Sequence, residues 1–170
     1  MQTGKKMKGL TGSITALVLL FSLLGAASNA QAADQYLTFN AYSHHFEKFN
    51  ERNNITPGIG WEYSPSKKIG FHVGTVRDSF NYQAKYVGIN WATPRWKALG
   101  GRVRFILGLT ALHKQYTPNS EPETKIVPLP VVEFKFTDRF VLNLSGSPEI
   151  DFEGHSNNAV LIFQGKLNLF

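Results

Sequence analysis

The stretch IGFHVGTVRDSFNYQAKYVGINW, residues 69–91, decides the architecture. Its first half sets Phe71, Val73 and Thr75 against His72, Gly74 and Val76. Its second half sets Val87, Ile89 and Trp91 against Tyr86, Gly88 and Asn90. A period of two marks strands with two unlike faces. One face is aliphatic and aromatic, and the other mixes glycine with polar groups. Between the runs stand Arg77, Asp78 and Ser79, which suit a solvated loop or one part of a catalytic rim.

The same alternation recurs at 35–45, 57–63, 102–112, 126–136, 139–145 and 160–170, giving eight strands. Most are close to the ~9–11 residues with which a tilted strand crosses a bilayer. A soluble sandwich would turn the apolar face inward, whereas an outer-membrane barrel turns it toward lipid. Connection lengths favour the barrel. SPSKK (64–68), ATPRWKALGG (92–101) and TD (137–138) fall on one side, and the longer 46–56, 79–84, 113–125 and 146–158 on the other. Short periplasmic turns opposite longer outer loops are an outer-membrane pattern. Tyr36, Trp61, Tyr63, Trp91, Trp96 and Phe170 lie near strand ends and are expected to form interfacial girdles.

The N-terminus reads as a signal peptide. Lys5, Lys6 and Lys8 precede an apolar core from Ile14 to Leu24, and Ala30-Gln31-Ala32 offers a small-residue cleavage site. The expected organisation is therefore a signal peptide over 1–32 and one barrel domain over 33–170. The formal charge of +6 falls to +3 once the three signal lysines go, because no acidic residue leaves with them. A mildly basic exported chain is a poor nucleic-acid binder and suits an anionic lipid surface. Cysteine is absent, which excludes disulfides, thiolate metal sites and a lipoprotein anchor. The fold expected is an all-β, eight-stranded antiparallel transmembrane barrel in the outer membrane, acting as a monomer without cofactor or metal.

Ser43-His44-His45 tops the first strand and Arg77-Asp78-Ser79 the third, at the same rim. A hydroxyl, an imidazole and a carboxylate are what acyl transfer needs, although polar residues are expected at any barrel rim. Motifs in order add to this. GFHVGTVRDSFNYQAKYVGINW (70–91), Phe49-Asn50-Glu51-Arg52, LGLTA (107–111) and VPLPV (127–131) together resemble the lipid A palmitoyltransferase family of outer-membrane enzymes (PagP). The likeness runs over roughly residues 36–170. It includes the 13-residue step from the rim Asp to a Trp, here Asp78 to Trp91.

The resemblance implies transfer of an acyl chain from a glycerophospholipid in the outer leaflet to a hydroxyl of lipid A. Asp78 and Ser79 match the family's Asp-Ser pair, and its rim His maps to His44 or His45. Strand parity puts His44 in the lumen, whereas closeness to Phe46 and the rim favours His45. Asn90 occupies the family's chain-measuring position, where glycine admits a long saturated chain, so a shorter slot is expected. Lumen glycines, Gly58, Gly60, Gly74 and Gly88, would leave room for it. Pro128, Pro130 and Pro148 cannot donate to a ladder and would weaken the seam through which the family admits lipid. Independently of the resemblance, the basic rim residues Lys48, Arg52 and Arg77 suit either contact with lipid A phosphates or an ordinary solvated loop. The lumen charges Glu62, Arg104, Glu133 and Lys135 either form a polar plug below that slot or fill the whole interior and leave none. The amphipathic helix that the family carries before its first strand has no counterpart in Ala33-Asp34-Gln35. The competing readings are a non-enzymatic small barrel (membrane-stabilising, adhesin or receptor) and a soluble fatty-acid-binding barrel.

Overall fold

In the computed structural model the alternating segments form strands β1 (Asp34–His45), β2 (Ile55–Ser64), β3 (Ile69–Arg77), β4 (Gln83–Ala92), β5 (Trp96–Ala98), β6 (Gly101–Lys114), β7 (Glu123–Lys135), β8 (Phe140–Ser147), β9 (Ile150–Phe152), β10 (His155–Asn157) and β11 (Val160–Asn168). The structure describes residues 33–46, 52–116, 120–147, 150–152, 155–157 and 159–170. Eight strands close a ring in the order β1-β2-β3-β4-β6-β7-β8-β11, and β11 pairs back onto β1 from Tyr36↔Asn168 to His45↔Val160. Neighbouring strands are antiparallel throughout. The short β5 adds to the lower end of β6, and β9 with β10 forms a separate hairpin.

Side-chain polarity is inverted relative to a water-soluble core. Val87, Ile89, Trp91, Phe105, Leu107 and Leu109 each expose between 50% and 57% of their surface. Thr38, Glu62, Arg104, Thr110, Glu133, Asn143 and Lys166 are buried inside. An apolar belt this broad is stable only against hydrocarbon, and the β1–β11 pairing closes the sheet, with the ladder cut short between β7 and β8. The chain is an outer-membrane β-barrel, and the soluble alternative is overturned. Connections 65–68 and 136–139 lie at the end that holds Asp34 and Asn168, which is the periplasmic end. The ends of β1 at His45 and of β6 at Lys114, from which the longer connections leave, lie at the outer end.

An ionic cluster fills the lower lumen. Lys166 Nζ donates to Glu133 Oε2 at 2.7 Å and to Glu62 Oε1 at 3.0 Å. Arg104 reaches Glu133 at 2.8 Å, and so does Arg95 from the connection between β4 and β5. The Tyr36 ring lies 4.5 Å from the Lys166 ammonium. Glu133 alone therefore accepts from three cations, which offsets the desolvation of all of them.

Four expectations need correction. Tyr36 belongs to no girdle, being fully buried in the lumen, whereas Tyr63 shares the outward face of β2 with Trp61 and stacks on it with centroids 5.6 Å apart. Lys135 stands outside the plug and pairs with Asp138 at 3.2 Å near the periplasmic mouth; Lys166 takes the central place. Gly60, Gly74 and Gly88 add no space of their own, because the Tyr86 hydroxyl lies over Gly60 and Gly74 and the His72 ring over Gly88. Glycine is required there by close approach of a ring, since an added Cβ would collide with it. Finally, a β-bulge at Ala41 breaks the parity of β1, as described below.

Replacing Lys166 by Met should destabilise the barrel by about 3–5 kcal/mol, because Glu62 and Glu133 would lose their shared cation. Urea unfolding in phospholipid vesicles measures it, and adding Glu62→Gln should restore part of the loss. A Lys166→Met barrel with the native unfolding midpoint would show that the cluster contributes nothing.

Candidate functional site

The outer end of β1 is set by the bulge. Register on β11 passes from Asn40↔Gln164 directly to Tyr42↔Phe163, so Ala41 is the extra residue. One inserted residue exchanges the two faces of everything beyond it. Below it, Tyr36 and Thr38 are buried in the lumen; above it, Ser43 is buried and Tyr42 and His44 are exposed. His45 therefore faces the lumen. His44 points out and meets Phe46 edge-on, with centroids 5.1 Å apart. Simple parity, which favoured His44 as the lumen residue, fails for this reason.

His45 Nε2 lies 2.7 Å from Ser79 Oγ and 3.3 Å from Ser43 Oγ. Its Nδ1 lies 3.4 Å from an Arg52 guanidinium nitrogen. Arg52 also stands over the Phe80 ring, 5.7 Å from its centroid. The Asn53 N–H donates to the Ser79 carbonyl at 2.8 Å, tying the first outer connection to the second. His45 is the last residue of β1, at the outer rim of the barrel. Burial, then the positive charges of Arg52 and Lys114, pull its imidazole down to about 4. The ring is neutral at neutral pH.

Asp78 has a different task from the one its place beside Ser79 suggests. Its Oδ1 accepts from the N–H groups of Phe80 and Tyr82, each at 2.9 Å, and its Oδ2 from that of Gln115 at 3.2 Å. Asn81 takes a left-handed conformation, φ 66°, which Asn tolerates in turns. The carboxylate thus folds the β3–β4 turn and ties it to the end of β6. No hydrogen bond joins it to His45 among the described residues. Asp78 and Ser79 are both buried.

Below this cluster opens a cavity of about 230 Å³. Val76, Leu112, Val127, Leu129, Val131 and Ile162 supply apolar wall; Arg52, Arg77 and Lys114 line it among the polar groups. On β4 and β6 the lowest lining residues are Asn90 and Gly108. Gly88 does not line it. Pro128 and Pro130 face outward on β7. Among the described residues, the β7–β8 ladder runs only from Val131↔Ser145 to Lys135↔Val141 and stops where Pro130 begins. Pro148 and Lys48 lie outside the described residues. Lys114, which the sequence reading passed over, is the next inward position after Leu112 on the period of β6, and that period was signal enough to find it.

The fold and this rim define a small outer-membrane β-barrel with a His–Ser pair at the outer mouth of a partly apolar cavity. Comparison with solved structures finds the N-terminal β-barrel domain of Pseudomonas aeruginosa OprF, with 11% identity, 83% of this chain and 100% of that one covered, and a TM-score of 0.49. It also finds the Yersinia pestis outer membrane protein Ail, with 11% identity, 81% and 99% coverage and a TM-score of 0.44. No family model matches the chain, and no curated protein sequence matches it either.

Asp78→Asn tests the turn assignment. The Asn carbonyl can still accept from Phe80 and Tyr82, but an amide NH₂ would face the Gln115 N–H, donor against donor. The Gln115 amide should exchange at least about tenfold faster while Phe80 and Tyr82 stay protected. Amide exchange followed by NMR reads this, and unchanged protection at Gln115 would remove the assignment.

Proposed function

We propose that this barrel is an acyltransferase that moves a chain from a glycerophospholipid to a hydroxyl of lipid A. The observation that carries the reading is the 2.7 Å contact between His45 and Ser79 at the mouth of the cavity. The apolar wall suits an acyl chain. The β7–β8 ladder that ends at Pro130 suits lateral admission of lipid from the outer leaflet. The ordered motifs shared with the palmitoyltransferases point the same way. Export behind the 1–32 signal peptide and action as a monomer without cofactor belong to the same reading.

In the reaction, Ser79 Oγ attacks the ester carbonyl while His45 Nε2 takes its proton. The ester C–O bond breaks, and the imidazolium returns the proton to the departing glycerol oxygen. A lysophospholipid leaves and the chain stays on Ser79. A lipid A hydroxyl then attacks the acyl-serine, His45 again carries the proton, and Ser79 is released. Asp78 acts as a positioning residue, since its carboxylate holds the turn that presents Ser79.

Ser79→Ala and His45→Asn should each lower transfer at least about a hundredfold, while the outward His44→Asn stays within about twofold. Mass spectrometry of lipid A from cells with and without each form is the measurement, with heat-modifiable migration as the check on folding. Native transfer in Ser79→Ala would end the nucleophile role, and loss in His44→Asn alone would reassign the histidine.

Acyl length follows from the floor. A cavity of about 150 Å³ holds benzene, so the 230 Å³ present holds roughly nine carbons on that scale. The preferred chain should be shorter than palmitate, and Asn90→Gly should lengthen it. Acyl-chain competition with mixed phospholipids measures the preference; palmitate as the best donor for the native chain would overturn it.

A non-enzymatic barrel that stabilises the membrane is the second reading, favoured by the ionic cluster that packs the lower lumen. Lipid A of unaltered mass in cells making the protein would decide for it.

A further inference from the structure

A guanidinium only donates hydrogen bonds. Its approach to His45 Nδ1 at 3.4 Å therefore requires a lone pair on that nitrogen. The neutral ring then carries its proton on Nε2, and Ser79 Oγ, 2.7 Å away, accepts it. Held this way, His45 cannot take a proton from Ser79. The rim as it stands is a resting arrangement.

Its charge suggests what releases it. Arg52, Arg77 and Lys114 all line the upper cavity, with Asp78 as the carboxylate among them. The carboxylate oxygens of Asp78 are engaged by three backbone amides. Lys114 makes no ion pair among the described residues and lies 5.2 Å from the centre of the Tyr116 ring. Among the described lining residues, cations thus outnumber carboxylates above an apolar wall. A phosphate ester with an acyl chain a few bonds away complements both parts, and a guanidinium binds phosphate oxygens in pairs.

We propose that Arg52 and Lys114 form a receptor for a phosphate monoester or diester group, and that binding it draws Arg52 off His45 Nδ1 and turns the imidazole from donor to base. The proton on Nε2 passes to solvent and one from solvent settles on Nδ1, so the ring gains no charge and Nε2 gains the lone pair that faces Ser79. Neutralising Arg52 and Lys114 also removes two of the influences that hold the His45 imidazole low. The proposal rests on the acyl-transfer reading for its purpose, though not for its measurement. It makes the site selective for phosphorylated acyl donors, because a neutral glyceride leaves the ring in the wrong tautomer.

The test is nitrogen NMR of the ¹⁵N-histidine-labelled barrel in detergent, with His45 assigned through His45→Asn. The free barrel should show the Nε2–H form. Dihexanoyl phosphatidylglycerol should convert it to the Nδ1–H form, and dioctanoylglycerol should not. Inorganic phosphate forms the third arm: a weaker conversion with it supports a headgroup site, whereas conversion by inorganic phosphate alone overturns the headgroup assignment. An Nδ1–H ring in the free barrel, or no response to either phosphate, overturns the proposal. Lys114→Met should keep the resting tautomer and weaken the phosphatidylglycerol response at least about tenfold. An undiminished response would remove Lys114 from the receptor. Arg52→Leu should abolish the resting preference for Nε2–H; a retained preference would show that Arg52 does not set it. A normal tautomer switch with no acylated lipid A retires the acyl-transfer reading alone, and normal transfer with no switch retires this inference alone.

Discussion

The constraint on which the rest depends is that hydrocarbon offers backbone amides no partner. Every strand in the belt must find hydrogen bonds on both sides, and the pairing of β1 with β11 supplies the last set. Closure then dictates the side-chain pattern. Outward positions must be apolar, which leaves inward positions to carry whatever polarity the chain has. Charges such as Lys166, Glu62 and Glu133 are tolerable inside only because they meet one another. The same enclosure lowers the basicity of His45 where Arg52 and Lys114 crowd it at the rim.

Interruptions of regular pairing coincide with the rim chemistry. The bulge at Ala41 turns His45 into the lumen. The prolines of β7 stand where its ladder with β8 stops. The turn folded by Asp78 holds Ser79 against the imidazole. The lower half has its own break, where residues 93–95 separate β4 from β5 along β6, and there the ionic cluster joins strands from opposite walls.

Period-two alternation revealed the eight strands, the outward apolar face and the rim at which Ser79 and a histidine meet, because each rests on local pattern. What the pattern could not reveal was anything that depends on one residue more or less. The extra Ala41 carries no signature, so parity pointed to His44 where the lumen holds His45. Glycines were read as empty space because a missing side chain says nothing of who fills the gap; Tyr86 and His72, contributed by neighbouring strands, fill it. Arg95 was invisible as a lumen residue because it enters from a connection. Asp78 was read by its chemistry, whereas its geometry makes it the organiser of a turn.

The ionic cluster has one more consequence. With the periplasmic half locked by Lys166 and Glu133 and the outer half hollow, the molecule is a cup and not a pipe. On the acyl-transfer reading, whatever occupies the cavity enters and leaves above the ionic cluster, on the cell-surface side.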